Sequence, residues 1–441
     1  MGIPYYFISL IKAHKNIVSR VRAKLQPDVL AVDFNCLIHN YMDDARPIES
    51  VVEALLKLLD ETCQPKQLYI AMDGLVPYGK IVQQRYRRFR IPDGTPVFDR
   101  NQISPGTPYM KELNEAVKAR LPQSIISCTE TPGEGEHKLF EWLKTLPSPQ
   151  RQNVVVYGLD ADLILLSLSQ TALCPQLWLL RENPSFQSKV EGFSVLSIHA
   201  LAGVLPIPAH RYVALCVLCF GNDFMPPLGM FSLREGGHDR ALECYLQAGS
   251  PDLMTASGRQ AFLRTASLQE MKFYQQKVGA RQNPAERAIL STDAKHFEER
   301  YNLHILDGVQ DTRYLVHAFW KTFHWTLHYF CENECLDWNW VYPYAEAPLI
   351  SQLVKYEESS PVWTSEPAKF TITKQLQFIL PQASLRKAHK RVMFPDEFYN
   401  EETETRIPWM RKFQWECEPR ISLPTMTEDL TAVQSFQCSE A

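Results

Sequence analysis

Short runs of β-forming residues that close on an acid constrain this chain more than any other feature. Val29-Leu30-Ala31-Val32 leads into Asp33, residues 68–72 lead into Asp73, and residues 154–159 lead into Asp160. A fourth run, 177–180, is followed by Arg181-Glu182. Between them lie stretches with helical spacing. Residues 49–62 place Val52, Leu55, Leu56 and Leu59 on one face, and 109–120 place Met110, Leu113 and Val117 on another. Strands that alternate with helices predict an α/β fold around a parallel, helix-covered sheet.

Composition sets the outer limits. With 45% hydrophobic and 22% charged residues, the 441-residue chain is neither disordered, nor collagenous, nor a coiled-coil rod. A net charge of −4 leaves nucleic-acid binding to a local patch. Eleven cysteines, odd in number and thinly spread, suit a reduced, cytoplasmic setting, with the nucleus as a second option. The longest apolar run, near 213–220, is far short of a bilayer span, so no membrane is expected. Residues 1–6 lack the basic start of a secretory signal, and Tyr6 breaks the myristoylation pattern. Residues 1–245 read as one α/β unit, and 246–310 as a polar, helical link. Residues 311–441 read as an aromatic-rich region that packs on the first unit, with a polar end after Pro424 expected to fray.

Functional groups of open parallel sheets sit beyond the carboxyl ends of strands, where Asp33, Asp73 and Asp160 fall. Asp162 lies two residues on, and Asp223 follows an apolar helix over 212–220. Glu134 and Glu136 sit in Pro132-Gly133-Glu134-Gly135-Glu136-His137-Lys138, where the glycines allow a tight turn. Any one of these acids alone reads best as a cap or turn residue. Seven carboxylates converging would repel one another unless divalent cations neutralised them. Hard oxygen donors favour Mg²⁺ or Mn²⁺, and two such ions roughly 4 Å apart suit hydrolysis of a phosphodiester.

The same residues carry a family resemblance. Val32-Asp33-Phe34-Asn35, Met72-Asp73-Gly74, residues 83–90, residues 103–108, residues 132–138, Gly158-Leu159-Asp160-Ala161-Asp162, Gly221-Asn222-Asp223-Phe224, residues 338–344, residues 378–381 and residues 394–398 resemble the Xrn-type 5′→3′ exoribonucleases. The resemblance covers both shared regions of that family. It implies a twisted, mostly parallel sheet like that of PIN and flap-endonuclease folds, flanked by helices, with a helical and irregular C-terminal region packed on it. It also places all seven acids, Asp33, Asp73, Glu134, Glu136, Asp160, Asp162 and Asp223, at a two-metal site. One departure is Ala345-Glu346, where the family pattern carries His-Tyr.

Residues 80–90 hold five basic residues and no acid. As a helix they bring Lys80, Gln84, Arg87 and Arg88 to one face. A solvated basic helix is the ordinary reading; closeness to Asp73 favours a phosphate site, and the resemblance assigns the four residues to a 5′-monophosphate. It further implies that His39 stacks on the 5′ base against a tryptophan of the second region, taken as Trp325, with Trp338 and Trp340 as competitors. Cys216 and Cys219 in an apolar helix read as core, and His324, His328, Cys331 and Cys335 have only loose metal-like spacing.

The expected function is Mg²⁺- or Mn²⁺-dependent 5′→3′ hydrolysis of single-stranded RNA bearing a 5′-monophosphate, releasing nucleoside 5′-monophosphates. A monomer is expected, with a decapping machinery as the partner that supplies such ends. The rivals are a flap-type DNA 5′-nuclease and a non-catalytic RNA-binding protein with the same fold.

Overall fold

The computed structural model describes residues 3, 5–89, 98–183, 192–277, 289–290, 295–356, 358, 361, 363, 366–394 and 396–399. The expected fraying after Pro424 and the motif residues Arg90 and Pro395 lie outside them.

Seven strands form one sheet: β1 (Val18–Arg20), β2 (Val29–Asp33), β3 (Gln67–Ala71), β4 (Ile125–Ser127), β5 (Asn153–Tyr157), β6 (Gln176–Glu182) and β7 (Phe193–Ser197). Their order is β1-β7-β6-β5-β2-β3-β4. The pairs β2–β3, β2–β5, β3–β4 and β5–β6 are parallel, and β7 runs antiparallel to both β6 and β1. The sheet is therefore mixed and mostly parallel, as expected. The two short strands β1 and β4 lie at its edges.

β2 is buried along its whole length. Its side chains alternate between two apolar layers, as a strand's period of two requires. Val29 and Ala31 join Val154 and Val156 on one face; Leu30 and Val32 join Val155 and Tyr157 on the other. The register sets Asp33 beside Ala71 and Val32 beside Tyr157. Asp33, Asp73 and Asp160 thus leave the sheet at one rim.

The helices form where the sequence places them. Pro108–Arg120 starts with Pro at its first turn and is capped by Thr107, whose hydroxyl accepts from the Met110 amide. In Glu49–Thr62 the fully buried stripe is Val51, Val52, Leu55 and Leu58, while Leu56 and Leu59 are half-buried. The expected stripe is turned slightly because the helix packs against both Phe34–Tyr41 and Pro108–Arg120.

The later chain joins the same core. Helix Thr312–Glu332 packs on Ala209–Phe220 and on Asp162–Ser169, and Trp320, Phe323 and Trp325 enter the apolar layer beneath the sheet. Helix Ile372–Ile379 packs on Tyr78–Phe89. There Arg85, fully buried, donates to the Phe378 and Phe398 carbonyls and lies over the Phe89 and Phe398 rings. Among the described residues no single helix is long and apolar enough to cross a membrane.

Candidate active site

Three strand ends, two helix starts and one helix end build the acid cluster. Asp33 is the last residue of β2 and precedes helix Phe34–Tyr41. Asp73 follows β3; its amide donates to Asn35 Oδ1 at 3.1 Å, and its Oδ1 accepts from the Gly135 amide at 2.7 Å. Glu134 and Glu136 flank the first residue of Gly135–Thr145, and Asp162 opens Asp162–Ser169. Asp223 follows Ala209–Phe220 after Gly221, whose φ of +70° turns the chain.

The seven carboxylates act on one another. Asp33 feels Asp73 and Asp160, and Glu134 feels Asp73 and Asp223. Glu136 feels Glu134, Asp160 and Asp162, while Asp162 feels Asp223 and Asp160. Burial, then these like charges, push the Asp33 carboxyl up to about 7. Burial is also the main cause that drives Glu136 and Asp162 well above the usual carboxylate range. Asp223 moves the other way: burial raises it, but the positive charges around it, Lys80 first and Arg87 among them, together outweigh that and hold it ionised.

Lys80 is the counter-charge inside the cluster. Its Nζ lies 2.7 Å from Glu134 Oε2 and 2.6 Å from Asp223 Oδ2, and Asp223 Oδ1 accepts from Gln83 at 3.1 Å. The helical face expected to present Lys80 with Gln84, Arg87 and Arg88 is divided. Lys80 turns into the acids. Gln84 is buried, with no partner for its Oε1 among the described residues. Arg88 donates to the Ile103 carbonyl at 2.6 Å, and burial, then Arg87, pull it down to about 10. Arg87 is half-buried and makes no hydrogen bond or ion pair among the described residues. His39 is exposed on Phe34–Tyr41, within electrostatic reach of Arg88 and Arg87.

Trp325 does not suit the stacking role. Its ring is 1% exposed, is packed by Phe224 and Tyr329, and spends its N–H on the Asp337 carbonyl at 2.9 Å. A ring so enclosed has no face to offer a base. Trp340 is covered by Lys321 at 3.8 Å and edged by Trp363. Trp338 is half-buried, has no ring partner among the described residues, and its carbonyl accepts from the Tyr78 amide, at the start of the basic helix.

The donors suit a hard divalent cation. All are carboxylate oxygens, and Asp162 Oδ1 is buried without a partner among the described residues. Space is kept by glycine. A Cβ on Gly135 would come within 3.3 Å of Asp33 Oδ1 and 3.4 Å of Asp73 Oδ1. Among the described residues no three of these groups are drawn together as tightly as a bound ion draws its ligands. Lys80 supplies the positive charge in that arrangement.

Sequence reasoning missed several contributors. Lys138, at the end of the glycine-rich motif, is buried and donates to the Met72 and Cys128 carbonyls at 2.7 and 3.0 Å, so it fixes the strand end that carries Asp73. Burial pulls its amine down to about 8. Tyr329 donates to Glu134 Oε1 at 3.0 Å from a helix far along the chain. Its place within an aromatic run gave no sign of that bond.

A family model described as the XRN 5′–3′ exonuclease N-terminus matches residues 1–96 and 91–183, and one described as the Xrn1 helical domain matches 293–399. The chain belongs to the Xrn-type 5′→3′ exonuclease family. Among relatives of this Xrn-type chain, it is 30% identical over 319 residues to 5′-3′ exoribonuclease 1 of Saccharomyces cerevisiae, covering 56% of this chain and 21% of that protein. It is 27% identical over 398 residues to 5′-3′ exoribonuclease 2 of Candida albicans, covering 64% and 41%. The Xrn-type chain thus spans less than half the length of these relatives. A structure of the catalytic core of Rad2 with DNA aligns over 80% of this chain and 92% of that one, at 14% identity and a TM-score of 0.39.

Proposed function

We propose that the protein hydrolyses single-stranded RNA from a 5′-monophosphate end, releasing nucleoside 5′-monophosphates. One observation carries this reading: seven clustered carboxylates at the carboxyl rim of the sheet, with Lys80 bonded to Glu134 and Asp223 among them. The exoribonuclease names of the relatives support the substrate class. Asp33, Asp73, Glu134, Glu136, Asp160, Asp162 and Asp223 would hold two Mg²⁺ or Mn²⁺ ions. Bound there, the ions would supply Lewis acidity to a water and to the leaving oxygen.

The chain's own residues select the end. Arg87 offers an uncommitted guanidinium fork, which suits a terminal phosphate. Gln84 and Arg88 flank it on the same helix, and Lys80 reaches from that helix to the acids, joining phosphate recognition to the reacting centre. His39 and Trp338 are the stacking pair in this reading, with Trp338 in place of Trp325. Stacking on a π-face tolerates any base. Reactions that expose a 5′-monophosphate, decapping among them, would feed the enzyme in the cytoplasm.

The test is digestion of uniformly labelled RNA with Mg²⁺, as linear 5′-monophosphate, linear 5′-hydroxyl and circular forms, beside single-stranded DNA. Mononucleotides from the linear 5′-monophosphate RNA, with the circle intact, are expected. Oligonucleotides from the circle would show an endonuclease and remove the proposal.

A further inference from the structure

The second region reaches into the acid cluster through one hydroxyl, and the inference drawn from it rests on the metal site proposed above. Glu134 is gripped from two sides. Lys80 holds Oε2, and Tyr329, 195 residues downstream in Thr312–Glu332, donates to Oε1 at 3.0 Å.

Four further contacts fix Tyr329 and the segment it meets. Its ring stacks on His137, three residues past Glu134, with centroids 3.6 Å apart and planes 15° from parallel. His137 Nδ1 lies 2.6 Å from Asn333 Oδ1, and Asn333 Nδ2 donates back to the His137 carbonyl at 2.9 Å. Asn333 ends the helix at φ +62°, a conformation asparagine tolerates better than most residues. On its other side Tyr329 meets Phe224, which follows Asp223 directly, edge-on at 5.6 Å. The tyrosine therefore stands between two parts of the chain that each carry an acid of the cluster.

A buried tyrosine hydroxyl must find an acceptor, and a backbone carbonyl would do. This one is spent on a carboxylate of the cluster, where the bond is charge-assisted and directional. We propose that Tyr329 is a positioning residue for the metal site: its hydroxyl fixes the Glu134 carboxylate, so that cation binding at the sheet rim depends on a residue of the second region. Hydrogen-bond partners of metal ligands commonly change metal affinity by about 10- to 100-fold when removed.

Mn²⁺ binding to the full chain, followed by electron paramagnetic resonance, tests this without any substrate. Tyr329→Phe removes the hydroxyl and keeps the ring that stacks on His137. The expected result is Mn²⁺ affinity weakened about 10- to 100-fold, with a melting temperature close to that of the unaltered chain. The Mg²⁺ needed for half-maximal RNA hydrolysis should move by the same factor, and the rate should recover at saturating Mg²⁺. Equal affinity in Tyr329→Phe and the unaltered chain overturns the proposal. So does a variant that does not fold, since the hydroxyl then serves the fold rather than the ion. An unaltered chain that takes up no Mn²⁺ contradicts the metal site itself, before any variant is compared.

Discussion

Two of the buried ion networks among the described residues are built on opposite plans. In one, Arg259 meets Glu358 through both Nε and Nη2, His324 Nε2 lies 2.7 Å from the same carboxylate, and Arg259 Nη1 donates to the Leu253 carbonyl. Burial alone would raise the Glu358 carboxyl, yet His324 and Arg259 hold it below its usual range. Charges there are matched and closed off, with Arg259 and Glu358 side chains 3% and 1% exposed. In the other, Lys80 is bonded to two of seven clustered carboxylates, and burial raises Asp33, Glu134, Glu136 and Asp162 above the usual range. The matched network ties helix Ala256–Lys277 to Thr312–Glu332 and to Glu358. The unmatched one keeps a surplus of carboxylates that Lys80 offsets only in part and that retained protons relieve in the metal-free protein. Buried charge serves the fold where it is balanced, and marks a working site where it is not.

The comparison breaks first at Arg259. Arg259→Ala leaves Glu358 buried without its main partner, which should cost about 3–5 kcal/mol of stability. Activity per folded molecule should be unchanged. Denaturant unfolding together with an assay of the soluble fraction checks both halves, and a loss of activity without a loss of stability would erase the distinction between the networks.

At the rim the opposite pattern is expected. Asp162→Ala should lower RNA hydrolysis by more than about a hundredfold, while the melting temperature of the metal-free protein stays level or rises, because one repelling carboxylate is gone. Single-turnover rates and thermal melts on the same preparation decide this.

End selection comes next in size. Losing one charge-assisted contact to phosphate should cost about 1.5–3 kcal/mol, or roughly ten- to a hundredfold. Arg87→Ala should therefore slow decay of 5′-monophosphate RNA by that factor and leave 5′-hydroxyl RNA nearly unaffected. Equal slowing of both ends would make Arg87 a general backbone contact.

The smallest effect is one of pH. Asp33 titrates at about 7 in the fold, against an ordinary value of 3.8. Between those values the folded protein keeps the proton and the unfolded chain does not. Raising pH through that window therefore lowers the stability of the metal-free protein. Glu270, pushed by burial to about 7 although it accepts from the Ile350 and Ser351 amides, adds a slope of the same sign. The part carried by Asp33 and the other raised acids of the rim should vanish when Mn²⁺ is added, and the Glu270 part should stay. Melts from pH 5 to pH 8, with and without Mn²⁺, should separate the two by about a few degrees. Parallel curves would remove the rim acids, Asp33 among them, from the metal set.

The rim was legible in the sequence because Asp33, Asp73 and Asp160 each close or follow a strand, and strands announce their ends through the apolar runs before them. β1 and β4 were not legible: three residues carry no period. The bonding of Lys80 to the acids was not legible, because helical spacing gives angles around an axis, not what surrounds it. Tyr78–Phe89 is buried on nearly every side, so its lysine turns inward to the acids. Trp325 was misplaced for a related reason. Ring exposure is decided when Thr312–Glu332 packs against Ala209–Phe220, which no local pattern records. Tyr329 bonds to Glu134 across 195 residues, beyond any reading of spacing.

The unmatched rim is tested most directly by calorimetric titration of Mn²⁺ into the unaltered chain and into Asp162→Ala, with Arg259→Lys, which keeps a positive charge beside Glu358, as the folded comparison. Mn²⁺ uptake is expected for the unaltered chain and for Arg259→Lys, and uptake lost or weakened more than about a hundredfold in Asp162→Ala. No uptake by the unaltered chain, or equal uptake by Asp162→Ala, would contradict that expectation.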